Sequence, residues 1–498
     1  MGERIIIIGA GVAGLSAGIH AARCGFEVEL FEHHSEPGGV CTSWRRGDYT
    51  IDGCIHWLMG GRDGDPYRAL YESVGALDDV ELRTIDVFTE VFDELTGDSL
   101  TFSRDLDGLL AQVDRIAPYD LPVFRELVDL ARRSEGTAPP PVRDAPEVQG
   151  LWSTMVDLWH ARDRLRLFIG SSETMGDVAE RVRHPTLRFA LKGLFVPEMP
   201  AAFMAMLLGE LERGNLSTVV GGSRRFSAGM ARRLAAVGGS IRYGADVDRI
   251  IVVNDRAVGV HLTDGSTHRA DHVISTAPGP TTIFRMLGGA YTDAKIRERF
   301  ATWPMFGAVS LVTFGARRRW PDVARALQLR LAEPFTIGPD STDVLAIRHM
   351  AEDSTLAPAD GCVIQALVGG DFDFWHDVHH APGRYGELKE QLAAEVCARL
   401  ERHFPGLAAA EELVDVATPY TFWRFARSYR GAFEGWLPTM ATIRTRVGKT
   451  LPGLGRFHMA GQWVEPGGGI PPSVTSGRHV VQMVCEEHGV PFVDLMGK

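Results

Sequence analysis

An α/β fold built on a parallel sheet, with a large α+β insertion, is predicted by three observations on this 498-residue sequence. The N-terminus reads as strand, glycine turn, helix, strand. A series of short strands between residues 240 and 276 follows a second glycine turn, and a glycine-rich segment near the C-terminus joins a last strand to a last helix. The length exceeds that of a single core, so more than one subdomain is expected.

Ile5-Ile6-Ile7-Ile8 is too short for a helix and typical of a strand buried on both faces of a parallel sheet. It leads into Gly9-Ala10-Gly11-Val12-Ala13-Gly14 and a small apolar helical pattern from Leu15 to Cys24; Gly25 ends the helix, and Phe26 to Phe31 is the second strand. Gly9 permits the tight turn, Gly11 lets the backbone approach a pyrophosphate, and Gly14 lets helix and strand pack closely, with unpaired helix N–H groups facing the phosphate charge. Glu32, at the tip of the second strand roughly 20 residues after the glycines, suits a ribose diol and disfavours a 2′-phosphate. Glycine turns of this spacing also occur in ordinary α/β proteins. The strand, the helix and Glu32 together point to a bound dinucleotide.

The next segment, Glu36-Pro37-Gly38-Gly39-Val40-Cys41, precedes a strand at Tyr49 to Gly53. A second glycine pair suits a flavin dinucleotide, whose ring end needs another close backbone approach; a plain loop turn is the other reading. From Asp65 to about Val220 helices with polar faces are expected, broken by Ala138-Pro139-Pro140-Pro141 and Asp144-Ala145-Pro146, an exposed connection or lid hinge. Ala201 to Leu208 is apolar nearly all round, which fits core, although its methionines would also suit a long greasy ligand. Gly221-Gly222-Ser223 opens a helix to Ala236, and strands follow at Ser240–Tyr243, Val247–Val253, Ala257–Leu262 and Asp271–Thr276, with an Asp264-Gly265 hairpin signal between the last two. A mixed block to Pro438 holds strands at Ala308–Phe314 and Cys362–Val368, then an aromatic run from Tyr420 to Trp436 interleaved with Arg424, Arg427 and Arg430. Arg456 to Gly461 is the final strand. Pro466 to Ser473 then opens a helix ending near Glu487, whose positive end faces a bound group.

The net charge of -12 and the lack of a basic face argue against a nucleic-acid partner, so the aromatic and arginine run reads as a pocket wall. Six scattered cysteines without a C-x-x-C pair imply neither a disulfide framework nor a metal site, and fit a reducing compartment. No run reaches the roughly 18 to 20 apolar residues of a membrane span. A cytoplasmic location is expected, with peripheral membrane contact left open. There is no G-x-S-x-G, no H-E-x-x-H and no second complete G-x-G-x-x-G. For catalysis the candidates are His56, as a proton acceptor or merely a structural histidine, and Tyr429 and Phe433, which with Trp436 are expected at the reacting end of a pocket. Phe203, Met204 and Met206 are expected nearer its entrance.

Residues 9 to 53, 221 to 278 and 457 to 483 resemble the FAD-binding parts of the phytoene desaturase and carotenoid isomerase group, within the amine oxidase-like flavoprotein superfamily. The resemblance rests on Gly9 to Gly14 with Glu32, Glu36 to Val40, Val247, and Ala460-Gly461 followed by Gly467 to Ser476. It implies a Rossmann-like FAD-binding domain of the two-nucleotide flavoprotein type: parts 1–64, 221–288 and 439–498, with substrate-domain parts 65–220 and 289–438 inserted. It also implies that Gly9, Gly11, Val12, Ala13 and Gly14 bind the pyrophosphate, Glu32 the ribose and Val247 the adenine through its backbone. Gly39 and Val40 would meet the flavin end, and Gly461, Gly469 and Ile470 the diphosphate and flavin edge. No cysteine falls between Gly461 and Ser476, so noncovalent FAD is expected. The implied activity is desaturation of a lipophilic, polyene or isoprenoid-like substrate with an external acceptor such as oxygen or a quinone. Redox-neutral isomerisation or saturation, amine oxidation, and a non-enzymatic prenyl-binding escort are the alternatives.

Overall fold

The computed structural model describes residues 2–134, 144–150 and 173–496. The proline run Ala138 to Pro141 lies outside the described residues. Strand Arg4–Ile8 is central in a five-stranded sheet, between Glu27–Phe31 and His272–Ser275, with Ser240–Arg242 and Phe457–Met459 at the edges. Every pairing is parallel. Ile5 and Ile7 join one apolar cluster while Ile6 and Ile8 join another, as the two-residue side-chain period of a doubly covered strand requires. One face carries helix Val12–Arg23, against which Ser223–Ala236 and Ile470–His488 pack. The other carries the antiparallel strands Val247–Val253, Arg256–Leu262 and Thr267–Arg269.

A seven-stranded sheet forms the second body, in the order Glu411–Ala417, Val309–Ala316, Cys362–Gly369, Asp340–His349, Ala326–Ile337, Val87–Asp93, Asp98–Ser103. Strand Tyr49–Asp52, paired with Ser43–Arg46, packs on it. Its Tyr49 ring fills the space over Gly315, where a Cβ would come within 2.6 Å of the ring.

Two elements differ from expectation. The stretch from 65 to 220 is not only helical, because Val87–Asp93 and Asp98–Ser103 form a hairpin that joins the sheet through parallel pairing with Leu327–Arg330. The inward Asp93 breaks the apolar alternation there; its carboxylate is buried against Arg330 at 3.2 Å and accepts from Thr186 at 3.2 Å. Asp264-Gly265 turns the chain into the short strand Thr267–Arg269, and not into His272–Ser275, which belongs to the parallel sheet. Helix Ala201–Glu212 packs on Leu121–Arg133, with Met204 and Met206 in the largest core and Phe203 partly buried beside it.

Candidate functional site

The glycine turn after the first strand is built from three different constraints. Gly9 has φ +97°, which only glycine adopts freely, and a Cβ on Gly14 would lie 2.0 Å from the Gly9 carbonyl oxygen. Gly11 has neither burden. Its φ is -70°, and a Cβ there would meet nothing among the described residues nearer than the Gly38 carbonyl at 3.9 Å. The space before the helix is open, the helix has no side-chain cap, and no acidic residue occupies its first turn. Its N–H groups are therefore available to an anion.

Glu32 closes this cradle. Its carboxylate is buried and accepts from the Ala10 N–H at 2.7 Å and the His34 N–H at 2.8 Å. Burial raises its pKa, opposed by those two hydrogen bonds. Each oxygen keeps a lone pair for a diol. Val247 begins the antiparallel strands, and its carbonyl accepts from Arg285 at 3.2 Å while keeping a second lone pair.

One further segment is hydrogen-bonded onto this turn and another onto the helix that follows it. Gly38 N–H donates to the Ala10 carbonyl at 2.8 Å, and Gly11 and Gly38 form a parallel bridge, bringing Gly39 and Val40 beside the helix N-terminus. Gly461 N–H donates to Ser476 Oγ at 2.8 Å, and Ser16 Oγ donates to the Val474 carbonyl at 2.7 Å, locking the last helix on the first. The last helix opens at Gly469 with φ +93° and no side-chain cap, with Ile470 its first residue. Two uncapped helix N-termini supply N–H donors for a diphosphate and the buried Glu32 carboxylate an acceptor for a ribose diol, so the residues fit FAD.

Asp52 holds the cradle to the second sheet. Its carboxylate accepts from the Ser223 N–H at 2.9 Å and from Arg348 Nη2 at 3.0 Å, and Ile55 N–H donates to Ser223 Oγ at 2.7 Å. His56 follows directly. Burial first, then Arg348 and Arg325, hold its pKa well below the usual histidine value, so the ring is neutral and a poor proton acceptor. Arg348 gave no signal in the sequence, since nothing in an isolated strand marks a partner 296 residues away.

In the aromatic run, Tyr429 packs edge-on against Trp463 at 5.7 Å, and Phe433 lies 5.4 Å from Phe306, which in turn meets Phe195 at 6.3 Å. The two inserted blocks thus meet through phenylalanines. Trp436 is buried against Phe300 and Trp463 and donates to the Trp463 carbonyl at 3.2 Å. It lines a cleft of about 460 Å³ together with Phe300, Leu451, Trp463 and Val464. No cradle glycine borders this cleft, so it is not the cofactor site. Sequence reasoning missed Glu434, although it is the single acidic residue between Tyr420 and Leu437.

Among known proteins, the model of the family described as flavin containing amine oxidoreductase matches residues 12–485. The phytoene desaturase (neurosporene-forming) of Cereibacter sphaeroides is 25% identical, with 97% of this chain and 94% of that protein covered. Prolycopene isomerase 1, chloroplastic, of an Oncidium hybrid cultivar is 23% identical over 97% of this chain and 84% of that one. In fold, the chain resembles cyclohexylamine oxidase from Brevibacterium oxydans, with a TM-score of 0.61, 17% identity, and 98% and 100% of the two chains covered. An oxidoreductase from Methanosarcina mazei has a TM-score of 0.58 at 17% identity, over 97% of this chain and 100% of that one. With the match running nearly end to end over a cradle that fits the cofactor, the chain belongs to the flavin containing amine oxidoreductase family.

Proposed function

We propose that the protein is an FAD-dependent oxidoreductase that dehydrogenates C–C bonds of a lipophilic, polyene or isoprenoid-like substrate. The observation that carries the flavin part is the convergence of the Gly38 and C-terminal segments on the open glycine turn and its helix, closed by Glu32. The substrate class is supported by relatives named as carotenoid desaturases and isomerases over nearly the whole chain.

In this reading the N–H groups at Gly11, Val12 and Ala13 hold the diphosphate, with Gly9 and Gly14 shaping the turn. Glu32 holds the ribose, and the Val247 backbone meets the adenine. Gly39, Val40, Gly461, Gly469 and Ile470 frame the flavin end, where the last helix places its positive end. Bound FAD supplies two-electron hydride chemistry. The chain itself supplies orientation and an apolar wall at Phe195, Phe306 and Phe433 that keeps water from the reacting carbon. FAD is held noncovalently, and the electrons leave to oxygen or a quinone. A membrane-dissolved substrate is reached by peripheral contact; among the described residues no helix is long and apolar enough to cross a membrane. The isomerase relatives favour one second reading, a redox-neutral isomerisation that works with reduced flavin.

Incubating FAD-loaded protein with liposome-borne phytoene or prolycopene and resolving the products by chromatography tests this. New conjugated double bonds support dehydrogenation, and all-trans product with unchanged hydrogen count supports isomerisation. Unchanged polyenes together with turnover of primary amines would reject the substrate class.

A further inference from the structure

Glu434 Oε2 is buried and has no hydrogen-bond partner among the described residues. The carboxyl is turned onto the glycine turn that precedes the last helix: a Cβ on Gly468 would lie 2.6 Å from Oε2 and 2.9 Å from Cδ. A buried polar group left unpaired costs roughly 1–3 kcal/mol, and folded proteins retain few of them without a use.

Its backbone is clamped from both sides. Phe306 N–H donates to the Gly435 carbonyl at 2.9 Å and Gly467 N–H donates to the Trp436 carbonyl at 3.1 Å, while Met305 and Ala308 bridge to Trp436 and Ala432. The preceding Phe433 packs on Phe306 in the phenylalanine wall. An acid is thus held between the apolar wall and the turn assigned to the flavin end.

We propose that Glu434 is the catalytic proton acceptor of the dehydrogenation, an inference that rests on the FAD reading above. One C–H bond of the substrate breaks with its electron pair leaving as hydride to oxidised flavin. The electron pair of the vicinal C–H bond becomes the second bond of the new alkene. The proton of that bond goes to the Glu434 carboxylate, and water later removes it.

Burial alone raises this carboxyl to about 8. The charged groups on the segments that meet there are engaged elsewhere, Arg430 with Asp373 at 2.7 Å and Glu465 with Lys449 at 3.1 Å, and the run from Pro304 to Ala308 has none. A carboxyl poised near neutrality can both take and release a proton.

The test needs no substrate. FAD-loaded wild type, E434Q and E434D are reduced with dithionite, with proton uptake followed by an indicator dye and the carboxyl by infrared difference spectroscopy. All three should retain FAD, because the flavin contacts come from other segments. Wild type should show a carboxyl titrating near pH 8, and reduction should move its midpoint upward as negative charge enters the ring. Above pH 8 wild type should then take up as much as about one more proton per flavin than E434Q. Below about pH 7 the two should match, and E434D should restore the difference. Equal uptake at every pH, with FAD bound, overturns the role of Glu434 and leaves the flavin reading standing; failure of wild type to bind FAD overturns both. If E434Q does not fold, the wild-type infrared titration decides: no carboxyl changing between pH 7 and 9 overturns the assignment.

Discussion

Gly11 and Gly14 share one turn but answer to different forces, and substitution separates them. Gly14→Ala forces a Cβ to within 2.0 Å of the Gly9 carbonyl oxygen, so it should destabilise even the cofactor-free protein by about 3 kcal/mol or more, read from urea unfolding. Gly11→Ala meets no protein atom nearer than 3.9 Å and has an ordinary φ. It should leave cofactor-free stability within about 0.5 kcal/mol of wild type and still weaken FAD binding at least tenfold, measured by flavin fluorescence. Equal effects of the two on stability would mean that the open space at Gly11 is not a ligand site. These glycines and Glu32 were legible in the sequence because each answers to a local constraint: turn, approach, or strand tip. Glu434 was not, because its neighbour Gly468 is brought to it only by the tertiary fold.

Between elements, the Asp52–Arg348 pair joins the strand Tyr49–Asp52, the N-terminus of the helix Ser223–Ala236 and the strand Asp340–His349. Both side chains are buried, so Arg348→Met leaves Asp52 as an uncompensated charge and should cost about 3–5 kcal/mol. Adding Asp52→Asn should recover part of that loss, since it removes the stranded charge. Thermal melts of the single and double variants check the order; a double variant less stable than Arg348→Met contradicts it. The strands and helices of the parallel sheet were readable in order from runs such as Ile5 to Ile8 and from their flanking glycines. The Val87–Asp93 strand was hidden by Asp93, an inward charge whose partners Arg330 and Thr186 come from elsewhere in the chain. Likewise, the Asp264-Gly265 turn announces a hairpin but not which sheet its second arm joins.

For the whole molecule, buried histidines contribute to acid sensitivity. Burial holds His458 at about 4, and burial, then Arg478 and His479, hold His20 at about 3. Both folded values lie below the ordinary histidine value of 6.5, so the unfolded chain binds more protons in this window, and stability falls as pH drops from about 6.5 toward 4. Each group should contribute up to about 1.4 kcal/mol per pH unit, and His458→Gln should flatten the slope measured by urea unfolding across that range. A slope unchanged in this variant would mean that His458 is charged in the folded protein. The reaction itself is tested most directly by anaerobic titration of FAD-loaded protein with phytoene in liposomes, recording flavin absorbance and polyene products together. A dehydrogenase should bleach in proportion to substrate, with about one new C=C bond formed per flavin reduced. Flavin that stays oxidised with every polyene tried, yet bleaches on addition of a primary amine, would contradict the assignment to C–C bond chemistry.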